Sequence, residues 1–223
     1  MSYLRAVLAI LRKDALTELR ARETVISMLV FATLAIVMFN FALRTRVDAI
    51  RPLVPGLIWV TLVFAATLGL GRAMSSEQVN QCIDGLLLAP GDRSAIFVGK
   101  ALGNVLFTLL VAALLVPLMS ILMDEGLFNA GVALSLFIGV LGFSGAGTLV
   151  ATIAISTRAR EVILPILLLP VTLPLVTTAA LATGGFLDGQ PLTSILPWLG
   201  VELGFVVVFW AAGTLLYDFV LDA

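Results

Sequence analysis

The sequence predicts an all-α membrane protein: six transmembrane helices preceded by an amphipathic helix lying at the membrane interface. Three observations predict it. Of 223 residues, 61% are hydrophobic and 12% charged, with a mean hydropathy of +1.14; a water-soluble domain of this size cannot cover so much apolar surface, so lipid must. Uncharged runs near the ~20 residues needed to cross ~30 Å of hydrocarbon recur between short polar breaks. One break, Arg72–Lys100, is far longer than the others.

Leu4, Leu8, Leu11, Ala15 and Leu19 recur at steps of three and four, with Arg5, Arg12, Lys13 and Arg20 elsewhere around the wheel. That is an amphipathic helix over residues 2–23. Its leucine stripe suits the acyl boundary and its basic residues an anionic leaflet; packing on the rest of the chain is the alternative. Arg12, Lys13, Asp14, Glu18, Arg20 and Arg22 interrupt the apolar positions before Thr24, so no cleaved signal peptide is expected.

The spans follow at about Val25–Leu43, Val54–Gly71, Ala95–Met123, Ala130–Ile155, Val162–Ala182 and Leu196–Tyr217, and the chain reads as one membrane domain. Lys and Arg distribute unevenly: five in the N-terminal segment, three in the island (Arg72, Arg93, Lys100) and two in the loop carrying Arg158 and Arg160, against Arg44, Arg46 and Arg51 on the other side. The positive-inside rule then puts both termini and the island in the cytoplasm, and Arg44, Arg46, Arg51 and Glu202 toward the periplasm. The three arginines can meet acidic groups there or stay solvated. Glu202, one turn after the interfacial Trp198, is expected to face interfacial water near a span end, the alternative being a functional intramembrane acid.

Small residues at four-residue steps, Gly131, Ser135 and Gly139 in the fourth span and Ala65, Gly69 and Ala73 in the second, permit close helix approach within one subunit or across a homodimer. Pro165, Pro170 and Pro174 in the fifth span predict a kinked or broken helix, as a hinge or a fixed bend; Thr172, Thr177 and Thr178 are candidates to satisfy the freed carbonyls.

Chemistry is sparse. A net charge of −1 without clusters gives no footprint for nucleic acid. Cys82 is the single cysteine and there is no histidine, so an internal disulfide, the usual metal sites and imidazole-based catalysis are excluded. Gly99-Lys100 is not a phosphate loop, since Ala101 follows and no glycine stands five residues earlier. No enzyme activity is expected. The island does carry a signal: its polar sequence encloses an apolar patch, Leu86, Leu87 and Leu88, flanked by Asp84, Asp92 and Arg93. An apolar centre with a polar rim fits a protein-docking surface; the plainer reading is that these leucines begin the third span.

Glu77, then Asp84-Gly85-Leu86-Leu87-Leu88-Ala89-Pro90, Ser94 and Gly99-Lys100 leading into a span, resemble the cytoplasmic coupling segment of type-2 ABC exporter membrane subunits. More narrowly, Pro55-Gly56-Leu57-Ile58-Trp59-Val60 and the proline-studded stretch from Ile163 to Leu175 are similar to the haem exporter protein B family (CcmB). The resemblance covers nearly the whole chain. It implies an ABC-2 exporter fold and a bacterial inner-membrane permease for cytochrome c maturation. Its partners would be two copies of a cytoplasmic ATPase, which bind the ATP, together with a haem-handling membrane protein and a haem chaperone; a homodimer is expected. The coupling residues would be Glu77, Asp84, Gly85, Leu86, Leu87, Leu88, Pro90 and Arg93. Haem would be handled or exported rather than held as a tight cofactor, and without histidine any iron ligation falls to a partner. A general ABC-2 permease for a lipid, drug or glycan is the alternative; a membrane scaffold or an ATPase-independent haem-transferring enzyme is a third.

Overall fold

The computed structural model describes residues 3–44, 50–79, 92–155 and 160–221, and every regular element among them is helical. Helix α1 is Tyr3–Ala21 and α2 Glu23–Arg44; a short 3-10 turn, Arg51–Leu53, leads into α3, Val54–Val79. Then come α4 (Ser94–Met123), α5 (Ala130–Ile155), α6 (Arg160–Leu187) and α7 (Leu192–Leu221). Helices α2 to α7 each hold a stretch long and apolar enough to cross a membrane, the six spans expected. Helix is the form that satisfies every backbone N–H and C=O within its own segment where no water reaches.

Helix α5 is the axis of the bundle. Within its membrane-crossing window 83% of residues are buried, against 22% for α2 and 17% for α7. It can be surrounded because its own side chains are small. A Cβ on Gly139 would overlap the Trp59 indole from α3, and one on Gly131 the Phe186 ring from α6. The Gly131–Ser135–Gly139 series is therefore occupied by packing within the chain, and so is Gly69, which receives Met28. Large apolar residues on the periphery, such as Phe41, Val207 and Phe219, stay exposed for lipid.

The first turn of the chain into the bundle is built by Glu18. Arg22 takes a left-handed φ of 57°, its N–H closing on Glu18 O at 2.6 Å, while the Glu18 carboxylate accepts the Val25 N–H at 2.7 Å. One residue thereby ends α1 and supplies an acceptor to the otherwise unpaired amides at the start of α2. Helix α1 lays Val7 and Ile10 against the start of α4, where Gly99 leaves room for Ile10. The expected leucine stripe is a different face: Leu4, Leu8 and Leu19 remain exposed, 61–71% accessible. So α1 packs on its own chain and still offers an apolar stripe, and the two readings of this segment are not exclusive. At the same end Phe97 of α4 is enclosed by Trp210 and Tyr217 of α7, ring centroids 6.1 and 5.6 Å away.

Several span ends differ from expectation; α6, for one, runs on to Leu187, five residues past Ala182. Helix α3 runs on past Gly71 to Val79, so the first eight residues of the polar island form a helical stalk about 12 Å long. Helix α7 begins at Leu192, not Leu196. Pro197 is accommodated within it as the sixth residue, at the cost of the one bond its missing N–H would have given to the Thr193 carbonyl.

Gly139→Val is expected to destabilise the bundle by about 3 kcal/mol, as overpacking at a fixed backbone does; an unfolding midpoint equal to that of the wild type would contradict the central role of α5. Gly99→Leu should leave the spans intact but free α1, raising the rate of proteolysis within residues 3–21 about tenfold, the equivalent of ~1.4 kcal/mol.

Candidate functional site

Three places hold the polar groups of a mostly apolar molecule. At the end of the bundle opposite the termini, Arg51 reaches across to the turn between α6 and α7. Its Nη2 donates to Leu187 O at 2.6 Å, its Nε lies 3.6 Å from Asp188 Oδ1 and its Nη1 3.9 Å from Glu125 Oε2. The side chain is half exposed, so each ion pair contributes little, ~0–1 kcal/mol. Its donors nevertheless face groups of this same chain, which distinguishes Arg51 from a freely solvated charge awaiting an acidic ligand. Nearby, the Asn129 side chain donates to Phe186 O at 3.2 Å. Arg46 lies outside the described residues, and of Arg44 only the backbone at the end of α2 is described.

Deeper in the bundle lies a hydrogen-bonded series that crosses four helices. The Trp59 Nε1–H of α3 donates to Thr183 Oγ1 of α6 at 3.0 Å. Thr183 lies 3.4 Å from Ser135 Oγ of α5, and Ser135 lies 3.1 Å from Glu202 Oε1 of α7. All four side chains are at most 1% accessible. Glu202 Oε2 has no hydrogen-bond partner among the described residues. Glu202 thus does not face interfacial water, as its place in the sequence predicts, but is buried among helices. Because α7 starts four residues earlier than its hydropathy suggested, Glu202 stands about 15 Å along the helix and faces α5 rather than water.

The third place is the terminal end. Glu77 lies on the stalk of α3, where only its backbone is described, and Asp84, Gly85, Leu86, Leu87, Leu88 and Pro90 lie outside the described residues. Beyond them Asp92 starts α4: its Oδ1 accepts the Ser94 N–H at 3.0 Å and its carbonyl the Ala95 N–H at 3.0 Å. Arg93 is the N-cap of α4.

Of the two forms expected for the proline-bearing helix, kinked or broken, α6 is not the broken one. It is unbroken from Arg160 to Leu187 despite Pro165, Pro170 and Pro174. The threonines do not satisfy the carbonyls those prolines free, at Glu161, Ile166 and Pro170. Thr172 donates to Leu168 O at 2.9 Å, Thr177 to Leu173 O at 2.8 Å and Thr178 to Pro174 O at 2.9 Å. Leu168 and Leu175 are buried, whereas Pro170 and Pro174 lie on the exposed face of the helix.

An open, apolar groove of about 430 Å³ runs between α4 and the start of α5, lined by Leu109, Val116, Pro117, Leu127, Phe128 and Leu136 among others. No group of three acidic or cysteine side chains that could hold a metal occurs among the described residues. The site is one of packing and hydrogen bonding.

Comparison with known proteins finds relatives along most of the chain. Heme exporter protein B of Pseudomonas aeruginosa is 26% identical over 191 residues, covering 85% of this chain and 86% of that protein. Heme exporter protein B of Rhodobacter capsulatus is 25% identical over 167 residues, 74% of this chain and 77% of its own, and that of Haemophilus influenzae 22% identical over 174 residues, 78% and 79% respectively. The model of the family described as CcmB protein matches residues 5–215, almost the entire chain. The chain belongs to the CcmB protein family.

Proposed function

We propose that this chain is the membrane subunit of an ABC-type haem exporter serving cytochrome c maturation, driven by a separate cytoplasmic ATPase. The observation that carries the reading is the family match over residues 5–215, across all six spans. The relatives' name, heme exporter protein B, supplies the substrate class.

The physical case for an external energy source starts from what the chain contains: it has no phosphate loop and no histidine, so the work of transport comes from a partner. The partner's docking place is the island. It is bounded by two helices that run into the membrane, α3 through its stalk and α4 through the turn at Asp92 and Arg93. A push on the residues between Val79 and Asp92 is delivered to both spans as a rigid-body tilt. Leu86, Leu87 and Leu88 are the apolar centre of that contact, with Glu77, Asp84 and Arg93 around it. By the distribution of Lys and Arg, this end and both termini face the cytoplasm of the bacterial inner membrane. ATP then belongs to two ATPase subunits and iron ligation to a haem-handling partner, which passes haem to its periplasmic chaperone. This chain forms a homodimer that contributes apolar surface, such as the groove between α4 and α5.

Leu87→Asp tests the docking surface. Placing a charge in the apolar centre should reduce ATPase co-purification in mild detergent at least about tenfold, a ~1.4 kcal/mol loss, with membrane insertion unchanged by protease mapping. Wild-type recovery of the ATPase would overturn the coupling role of this segment. Mass spectrometry of the native complex should also find the haem chaperone's membrane partner.

A further inference from the structure

We propose that Trp59, Thr183, Ser135 and Glu202 are positioning residues that form a latch: closed, it holds α3 and α6 against α5 and α7, and the transport cycle opens it between Thr183 and Ser135. The inference rests on the coupling reading above and assigns that motion a place inside the membrane.

The series has a direction. Trp59 donates to Thr183, the Thr183 hydroxyl donates to Ser135, and the Ser135 hydroxyl donates to Glu202 Oε1. Each hydroxyl has a single proton to give, so the series holds only while the four helices keep one relative arrangement. Its contacts are unequal. Both contacts between Ser135 and α6, with Thr183 Oγ1 and with Ala179 O, are 3.4 Å, longer than the usual range of about 2.5–3.0 Å, whereas Trp59–Thr183 is 3.0 Å and Ser135–Glu202 3.1 Å. The seam therefore falls between α6, which carries Thr183 together with its Trp59 donor from α3, and α5, which carries Ser135 bound to α7.

The carboxyl is also incompletely satisfied. Glu202 Oε2 is fully buried without a hydrogen-bond partner among the described residues, although a buried polar group without one is costly. A purely structural link between these helices would be made at lower cost by apolar side chains of similar size. A series that ends on an unsatisfied oxygen suits a state that must be left, since a second arrangement can give Oε2 the donor it lacks.

The lever is α3. Trp59 sits near one end of that unbroken helix and the island stalk forms the other, with 18 residues, or about 27 Å, from Trp59 to Glu77. The indole lies over Gly139, against a backbone bare of side chain. A tilt of the stalk therefore carries Trp59 and Thr183 away from Ser135 without a side chain at position 139 in the way.

The test uses the whole complex with its ATPase in nanodiscs, a Cys82→Ser background and Ser135→Cys, a thiol close in size to the hydroxyl. Alkylation by N-ethylmaleimide is followed without nucleotide and after trapping with a non-hydrolysable ATP analogue. Trapping should raise the alkylation rate about tenfold as the open population grows. Glu202→Leu, which removes the terminal acceptor, should raise the rate without nucleotide and abolish its dependence on trapping, whereas Glu202→Gln, which keeps an acceptor for Ser135, should preserve that dependence. A merely structural glutamate would leave the nucleotide dependence unmoved in both. If Ser135→Cys does not assemble, Thr183→Cys reads the same seam from its other side. Unchanged alkylation in a complex that demonstrably retains ATPase and nucleotide overturns the latch alone. A complex that contains no ATPase overturns the coupling reading, and the latch with it.

Discussion

The molecule depends on one narrow helix. In lipid there is no hydrophobic drive between spans, so association relies on contact area and on the few polar groups that find each other. Helix α5 supplies both. Its glycines admit Trp59 and Phe186 to the backbone, and its Ser135 sits at the crossing of α3, α6 and α7. A bulkier α5 would move the indole away and separate the donors and acceptors that now meet around it.

That arrangement gives the two ends of the bundle different characters. At the terminal end, aromatic packing around Phe97 and the lodging of Ile10 over Gly99 make a joint between α1, α4 and α7. At the far end, Phe186 packs on Gly131 and Ile195 and Leu199 cluster with Ile138 and Ala182, and long polar side chains add Arg51 to the turn after α6 and Asn129 to Phe186 O. Exposed polar clamps of this kind are individually weak.

Much of this was legible in the sequence. The bounds of α2, α4 and α5 fall within two residues of expectation because charges close each apolar run, as Arg44 closes α2 and Asp124 closes α4. The miss at α7 has an identifiable cause. Composition rich in Gly, Pro and Thr marks loops in water, but in a bilayer the chain between Leu192 and Pro197 gains from closing its own hydrogen bonds, and helix continues through it. That shift moved Glu202 from the interface to the interior. The hydrogen-bonded series was illegible for another reason: its links join residues 124, 48 and 67 positions apart, and no local pattern encodes such pairings. Ser135 was visible only as a small residue among glycines, and Trp59 only as part of a family-like stretch.

The unbroken passage from α3 into the stalk has one more consequence, which concerns rotational phase. A helix turns about 100° per residue, so the azimuth of the island around the bundle is set by the number of residues between Trp59, which is pinned at Gly139, and Val79, where the helix ends. Adding or removing a single residue within the stalk would swing everything beyond it around the axis by that angle.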